Sequence, residues 1–219
     1  MANTFDLEEQ EQLEQIKHFW KRYGNLITWL AIVIMGSITA WNGWQYWQNQ
    51  QAMGASALYD ELDRAVAERQ PERIQRAMTD LQDKFGRTVY AQQGALLAAR
   101  GQFAAGDADK ARAALEWAAA SSSDEGLQSI ARLRLAGMAL DRKEPDVAAK
   151  WLSEGISPEF AALAADRQGD VFQAKGQTAE ARAAYQKAHG LMDERTEYRR
   201  LVEVKLNALG VDVSTPQAK

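Results

Sequence analysis

Hydrophobic positions along this chain fall into two regimes. From Leu26 to Trp41 they are nearly continuous, in Leu, Ile, Val, Ala, Met and Trp, and no charged residue occurs between Arg22 and Asp60. Extended through Trp44 to Trp47 the run reaches about 20 residues, which as a helix crosses a hydrocarbon layer of roughly 30 Å. The pattern predicts one membrane-spanning helix over residues 24–47. A buried core helix is the alternative, but a soluble domain seldom holds so long a stretch without a charge. Thr28, Ser37 and Thr39 fit lipid because their hydroxyls can bond back to helix carbonyls.

From about residue 55 onward the pattern changes to helix, short polar break, helix. Breaks fall at Gln70-Pro71, Gly86-Arg87, Gly106-Asp107, Ser121 to Asp124, Glu144-Pro145, Ser157-Pro158, Gly176-Gln177 and Gly190. A final helix is expected from about Glu194 to Leu209, capping the open end, with Tyr198, Leu201, Val204, Leu206 and Leu209 apolar. Such regular breaks, spaced near a period of about 34 residues, call for a repeat search. Gly106 to Leu115 matches Gly176 to Tyr185 at an offset of 70 residues, two repeats. Ala77, Ala111, Ala148 and Ala181, spaced 34, 37 and 33 apart, take the same small position, each with a large residue one turn on. A small residue lets the two helices of a hairpin approach, and the large one fills the groove beside it.

This pattern resembles the second helix of a tetratricopeptide repeat. In the best copy the first helix fits too, with Gly169 at the close-contact position, Phe172, then Ala181, Tyr185 and Ala188. The characteristic Trp and terminal Pro are absent there, and earlier copies are more degenerate. The fold expected is therefore all-α: one N-terminal transmembrane helix, then a tetratricopeptide-like stack of antiparallel helical hairpins. Stacked hairpins leave a curved surface lined by their first helices. Leu133, Gly137, Leu140, Asp166, Asp170 and Gln173 are the candidate partner-binding positions on it.

Charge sets the direction of the anchor. Lys17, Lys21 and Arg22 flank its first end, and uncharged Gln48 to Gln51 follow the other, so the N-terminus is expected in the cytoplasm. Aromatic rings mark both interfaces with membrane lipid: Trp20, Tyr23 and Trp29 at one, Trp41, Trp44, Tyr46 and Trp47 at the other. Ala55-Ser56-Ala57 matches a signal-peptidase site, but it lies far beyond the apolar run. The run also exceeds a signal peptide's roughly 7–15 residues, and Asp6, Glu8, Glu9, Glu11 and Glu14 make the leading segment acidic. An uncleaved anchor is expected. The first 22 residues read as a short amphipathic helix with Leu13, Ile16 and Trp20 on one face, or equally as a solvated tail. The domains expected are a cytoplasmic tail (1–23), the anchor (24–47), a periplasmic repeat domain (48–210) and a loose tail (211–219). The uncharged stretch after Trp47 leaves open a continuous helix or a hinge.

Composition narrows the chemistry. The chain has 219 residues, a net charge of -4 spread along its length and no cysteine. Disulfides, thiol nucleophiles and a lipoprotein anchor are excluded, and with no basic stripe nucleic acid is not an expected partner. His18 and His189 stand far apart without a second ligand at metal spacing. No phosphate loop, nucleophile elbow or zincin motif occurs, so neither an enzyme nor a cofactor is expected.

The order of parts is similar to the YfgM family, ancillary subunits of the bacterial Sec translocon. It rests on Lys17-His18-Phe19-Trp20, Tyr23-Gly24-Asn25, Gly43 to Trp47, the degenerate hairpins and Val204 to Leu209 near the C-terminus. The resemblance implies a protein of the inner membrane beside the Sec translocon subunits. It further implies association with a membrane-anchored periplasmic chaperone of the prolyl-isomerase class, assisting exported polypeptides. The alternative it implies is a stress-response regulator whose cytoplasmic tail binds a signalling protein.

Overall fold

The computed structural model describes residues 7–212, with side chains from residue 12 onward. The described regular structure is helical throughout: α1 (Leu7–Ala67), α2 (Pro71–Phe85), α3 (Val89–Ala104), α4 (Ala108–Ser121), α5 (Glu125–Asp141), α6 (Pro145–Ser153), α7 (Ala161–Ala174), α8 (Thr178–Leu191) and α9 (Glu197–Ala208). A 3-10 turn, Pro158–Phe160, leads into α7. The chain divides into two compact units, Met1–Gln51 and Ala52–Lys219.

In the first unit α1 is long and apolar enough to cross a membrane. Its large apolar side chains stand exposed on every side, Leu26, Ile38 and Trp41 among them. A helix apolar all round has no solvated face to turn to water. Its hydroxyls are satisfied within the helix: Thr28, Ser37 and Thr39 donate to the carbonyls of Gly24, Val33 and Met35 at 2.8–2.9 Å. Residues 7–22, within the segment expected as a short amphipathic helix or a solvated tail, are helical and continuous with α1. The helix runs on through Gly24, which the Trp20 indole covers so closely that an added Cβ would sit 3.2 Å from Nε1. Asp6 and the side chains of Glu8, Glu9 and Glu11 lie outside the described residues.

The second unit is a stack of helical hairpins. Four of its helices, α1, α3, α5 and α7, end in the same turn. Arg69, Gly106, Lys143 and Gly176 adopt left-handed φ values of 54°, 85°, 63° and 73°. At each, the next residue's N–H bonds five residues back: Gln70 to Ala65, Asp107 to Gln102, Glu144 to Ala139 and Gln177 to Phe172, all at 2.9 Å. This closure satisfies the carbonyls a helix end leaves open and aims the chain back along the first helix. Pro71 and Pro145, or an Asp107 side chain accepting from the Lys110 N–H, then start the second helix.

Counted from these turns, the equivalent of Ala111, Ala148 and Ala181 in the first hairpin is Ile74. Each donates its N–H to the residue one past the left-handed one. The four-alanine register is corrected there, since Ala77 lies three residues further on. The larger Ile74 is accommodated by Gly101 of α3, where an added Cβ would approach Ile74 Cδ1 to 2.9 Å and Val66 Cγ2 to 2.7 Å. In the last hairpin Gly169 of α7 likewise gives its space to the Tyr185 ring of α8, and a Cβ there would collide with it.

The core runs along the stack as three clusters. The first joins the end of α1 to α2, α3, α4 and α5 through Leu62, Ile74, Leu81, Leu115 and Leu135. The second joins α5, α6 and α7 through Ala136, Ala148, Leu152 and Val171. The third joins α7, α8 and α9 through Tyr185, Ala188, Val202 and Leu206. The last break falls after Leu191 rather than at Gly190. Val211, the first residue of the tail expected to be loose, donates to the Leu206 carbonyl and packs on the third cluster. Residues 213–219 lie outside the described residues.

The turns make a prediction. A non-glycine residue in the left-handed region costs about 1 kcal/mol or more. Lys143→Gly should therefore raise the unfolding free energy by about 0.5 kcal/mol once the extra freedom of an unfolded glycine is subtracted. Gly176→Ala should lower it by about 1 kcal/mol. Urea denaturation of both variants in detergent checks the opposite signs, and equal signs contradict the shared turn.

Candidate protein-binding groove

The first helices α3, α5 and α7 together line an open groove of about 480 Å³. Its apolar surface comes from Ala99 and Phe103 of α3, Leu115 of α4, and Leu133 and Met138 of α5. Its cations are Arg100, Arg134 and Arg167, against one acid, Asp141. Phe103 is half exposed although it is the largest apolar group in the wall. Gly137 opens the groove at its centre. A Cβ added there would meet nothing nearer than the Arg167 guanidinium at 3.8 Å.

The three arginines are held differently. Arg167 pairs with Asp170 on its own helix at 3.2 Å. Arg134 donates to the Leu96 carbonyl at 3.2 Å. Arg100 has no hydrogen-bond acceptor or acid partner among the described residues. Desolvation, and then the like charge of Arg100, press the Arg134 guanidinium below its usual value, although the residue as a whole stays exposed.

Of the positions the sequence singled out, Leu133 and Gly137 line this groove. Leu140 packs instead on the cluster between α5, α6 and α7. Gln173 is exposed near the end of α7. Asp166 and Asp170 belong to a separate polar cluster. Asp166, 1 % exposed, accepts from Lys205 Nζ at 2.8 and 2.9 Å and from the Tyr198 hydroxyl at 2.8 Å. Asp170 accepts from the same Nζ at 2.7 Å and from the Tyr185 hydroxyl at 2.9 Å. Burial above all, and then the adjoining carboxylates, push both phenols above their usual value, so each stays a neutral donor.

Arg100, Phe103, Arg134 and Arg167 were not among the positions drawn from the sequence. A signal for two of them was present. Shifting Leu133, Gly137 and Leu140 back by the 37 residues that separate Ala148 from Ala111 lands on Leu96, Arg100 and Phe103. Among the described residues no group of three or more His, Cys, Asp or Glu stands close enough to hold a metal ion.

The polar cluster ties α9 to α7, and Lys205 is the cation that compensates Asp166. Removing one partner of a buried ion pair leaves the other charge unpaired, a cost of about 3 kcal/mol or more. Lys205→Met should show that loss in urea denaturation, with amide exchange rising first in α9. A loss below about 1 kcal/mol, the scale of a surface pair, contradicts this role.

A family model described as a tetratricopeptide repeat-like domain matches residues 17–211. The chain is 30% identical over 209 residues to a protein of Escherichia coli (strain K12) named ancillary SecYEG translocon subunit, covering 93% of this chain and 97% of that one. A protein of the same name from Neisseria gonorrhoeae is 29% identical over 207 residues, covering 93% and 98%. A third, from Haemophilus influenzae, is 31% identical over 186 residues, covering 84% and 90%. No solved structure matches the chain. With similarity running through anchor and hairpins alike, the chain belongs to the YfgM family of tetratricopeptide repeat-like proteins.

Proposed function

We propose that this protein is a membrane-anchored protein-binding subunit of the Sec translocon. In this reading residues 24–47 span the inner membrane and residues 1–23 face the cytoplasm. The repeat domain, 48–210, then stands in the periplasm. Three things support it: the exposed apolar surface of α1, the basic flank at Lys17, Lys21 and Arg22, and the names of the relatives.

The observation that carries the binding role is the unfilled groove across α3, α5 and α7. Apolar walls interrupted by a few fixed charges suit recognition of another polypeptide. The groove holds no nucleophile beside a base, since its polar lining is arginine and a single aspartate. In this reading the protein's work is to hold partners together. Anchoring two of them in one membrane plane raises their effective concentration without strong pairwise contacts. The partners we assign are translocon subunits through the membrane helix, and through the groove a membrane-anchored chaperone of the prolyl-isomerase class that meets exported chains.

Co-purification from membranes in mild detergent separates the two contacts. The intact chain should bring down translocon and chaperone. Replacing residues 24–47 by an unrelated spanning helix should lose the translocon. Gly137→Trp, which fills the groove where a side chain has room, should lose the chaperone while keeping the translocon. Recovery of neither partner by the intact chain contradicts the proposal.

A further inference from the structure

We propose that the groove across α3, α5 and α7 takes a polypeptide segment in which carboxylate side chains alternate with large apolar ones, the carboxylates engaging Arg100 and Arg134 and the apolar groups packing on Phe103 and Leu133. The inference rests on the reading of the groove as a protein-docking site, and it adds the chemistry of the occupant.

The charge in the groove is unbalanced. Three guanidinium groups share the lining with one carboxylate, Asp141, and of the three only Arg167 has an acid partner among the described residues. Arg100 and Arg134 stand close enough to repel, and burial already disfavours the charge on Arg134. Two cations held together against an apolar wall are destabilising until an anion joins them. A carboxylate answers that need well, because the planar guanidinium presents paired donors that match its two oxygens.

The order of groups along the walls points to a polypeptide. On α3 the lining alternates Ala99, Arg100, Phe103, and on α5 it alternates Leu133, Arg134, Gly137 and Met138. The complement must interleave anionic and apolar groups at side-chain spacing. A lipid separates its charged head from its chains, and an inorganic anion has nothing to set against Phe103, half exposed in the wall. A peptide carries both groups alternately and buries the ring while it neutralises the arginines.

The test uses the full chain in phosphatidylcholine nanodiscs, panned with a phage-displayed library of random peptides. Wild-type protein should enrich peptides carrying Asp or Glu next to Phe, Leu or Trp several-fold over the starting pool. The double variant Arg100→Gln, Arg134→Gln should cut recovery of those peptides by about tenfold. Arg100→Lys, Arg134→Lys should keep part of it, as a charge without the paired donors does. Both arginines are exposed, and circular dichroism verifies that the variants remain folded. Apolar peptides without an excess of acids, bound equally by the glutamine variant but lost with Gly137→Trp, overturn the acidic occupant and leave the docking groove standing. Recovery unchanged by Gly137→Trp overturns both. Disappearance of the acidic peptides when phosphatidylglycerol replaces phosphatidylcholine assigns the arginines to lipid headgroups and overturns the inference.

Discussion

The left-handed turn that closes each first helix is the constraint on which the repeat domain depends. It sets where the second helix starts, and so which residue of that helix faces the first. Two of the four turns use glycine, Gly106 and Gly176, which meets no side-chain penalty there. The other two place Arg69 and Lys143 in the same conformation, and each of these is followed two residues later by proline. Proline bars the residue before it from continuing a helix, so the chain must leave at that point. Glycine makes the turn permissible in one pair of hairpins, and proline makes the helix exit obligatory in the other.

Fixed turns bring the small positions of successive hairpins into register, and close approach follows. Where a large side chain comes between helices, a glycine on the facing helix gives it room: Gly101 for Ile74, and Gly169 for Tyr185. The first helices then lie side by side on one surface, which is how Arg100, Arg134 and Arg167 come to line one groove from three separate segments. At the C-terminal end the surface changes character. The positions on α7 that correspond to Leu133 and Gly137 of α5 are Asp166 and Asp170; Lys205 of α9 pairs with both, and Arg167 supplies the second cation at Asp170. On α7 these equivalent positions are engaged in an internal ion cluster and do not line the groove, to which α7 contributes Arg167.

Much of this was legible in the sequence. The unbroken apolar run, the Pro71 and Pro145 starts, and the Gly106 and Gly176 ends each carry a local signal strong enough to place an element. The turns at Arg69 and Lys143 were not legible as left-handed, because those residue types disfavour that conformation and only the hydrogen bonding reveals it. The same gap led to Ala77 rather than Ile74, since in an alanine-rich chain a nearby alanine fits the pattern by chance. Leu133 and Gly137 follow from the repeat register, which holds from α4 onward. Asp166 was placed on the right helix, yet its partner lies 39 residues away on a helix that folds back over it, a pairing that no local pattern encodes.

The central claim is that the face formed by the first helices is where another protein sits. Photocrosslinking in intact membranes tests it most directly, with a photoreactive amino acid placed singly at Phe103 in the groove, and at Arg112 or Lys187, exposed on the second helices α4 and α8. The account predicts a discrete adduct with another protein from Phe103 and none from Arg112 or Lys187. Adducts from Arg112 or Lys187 alone, with none from Phe103, would contradict it.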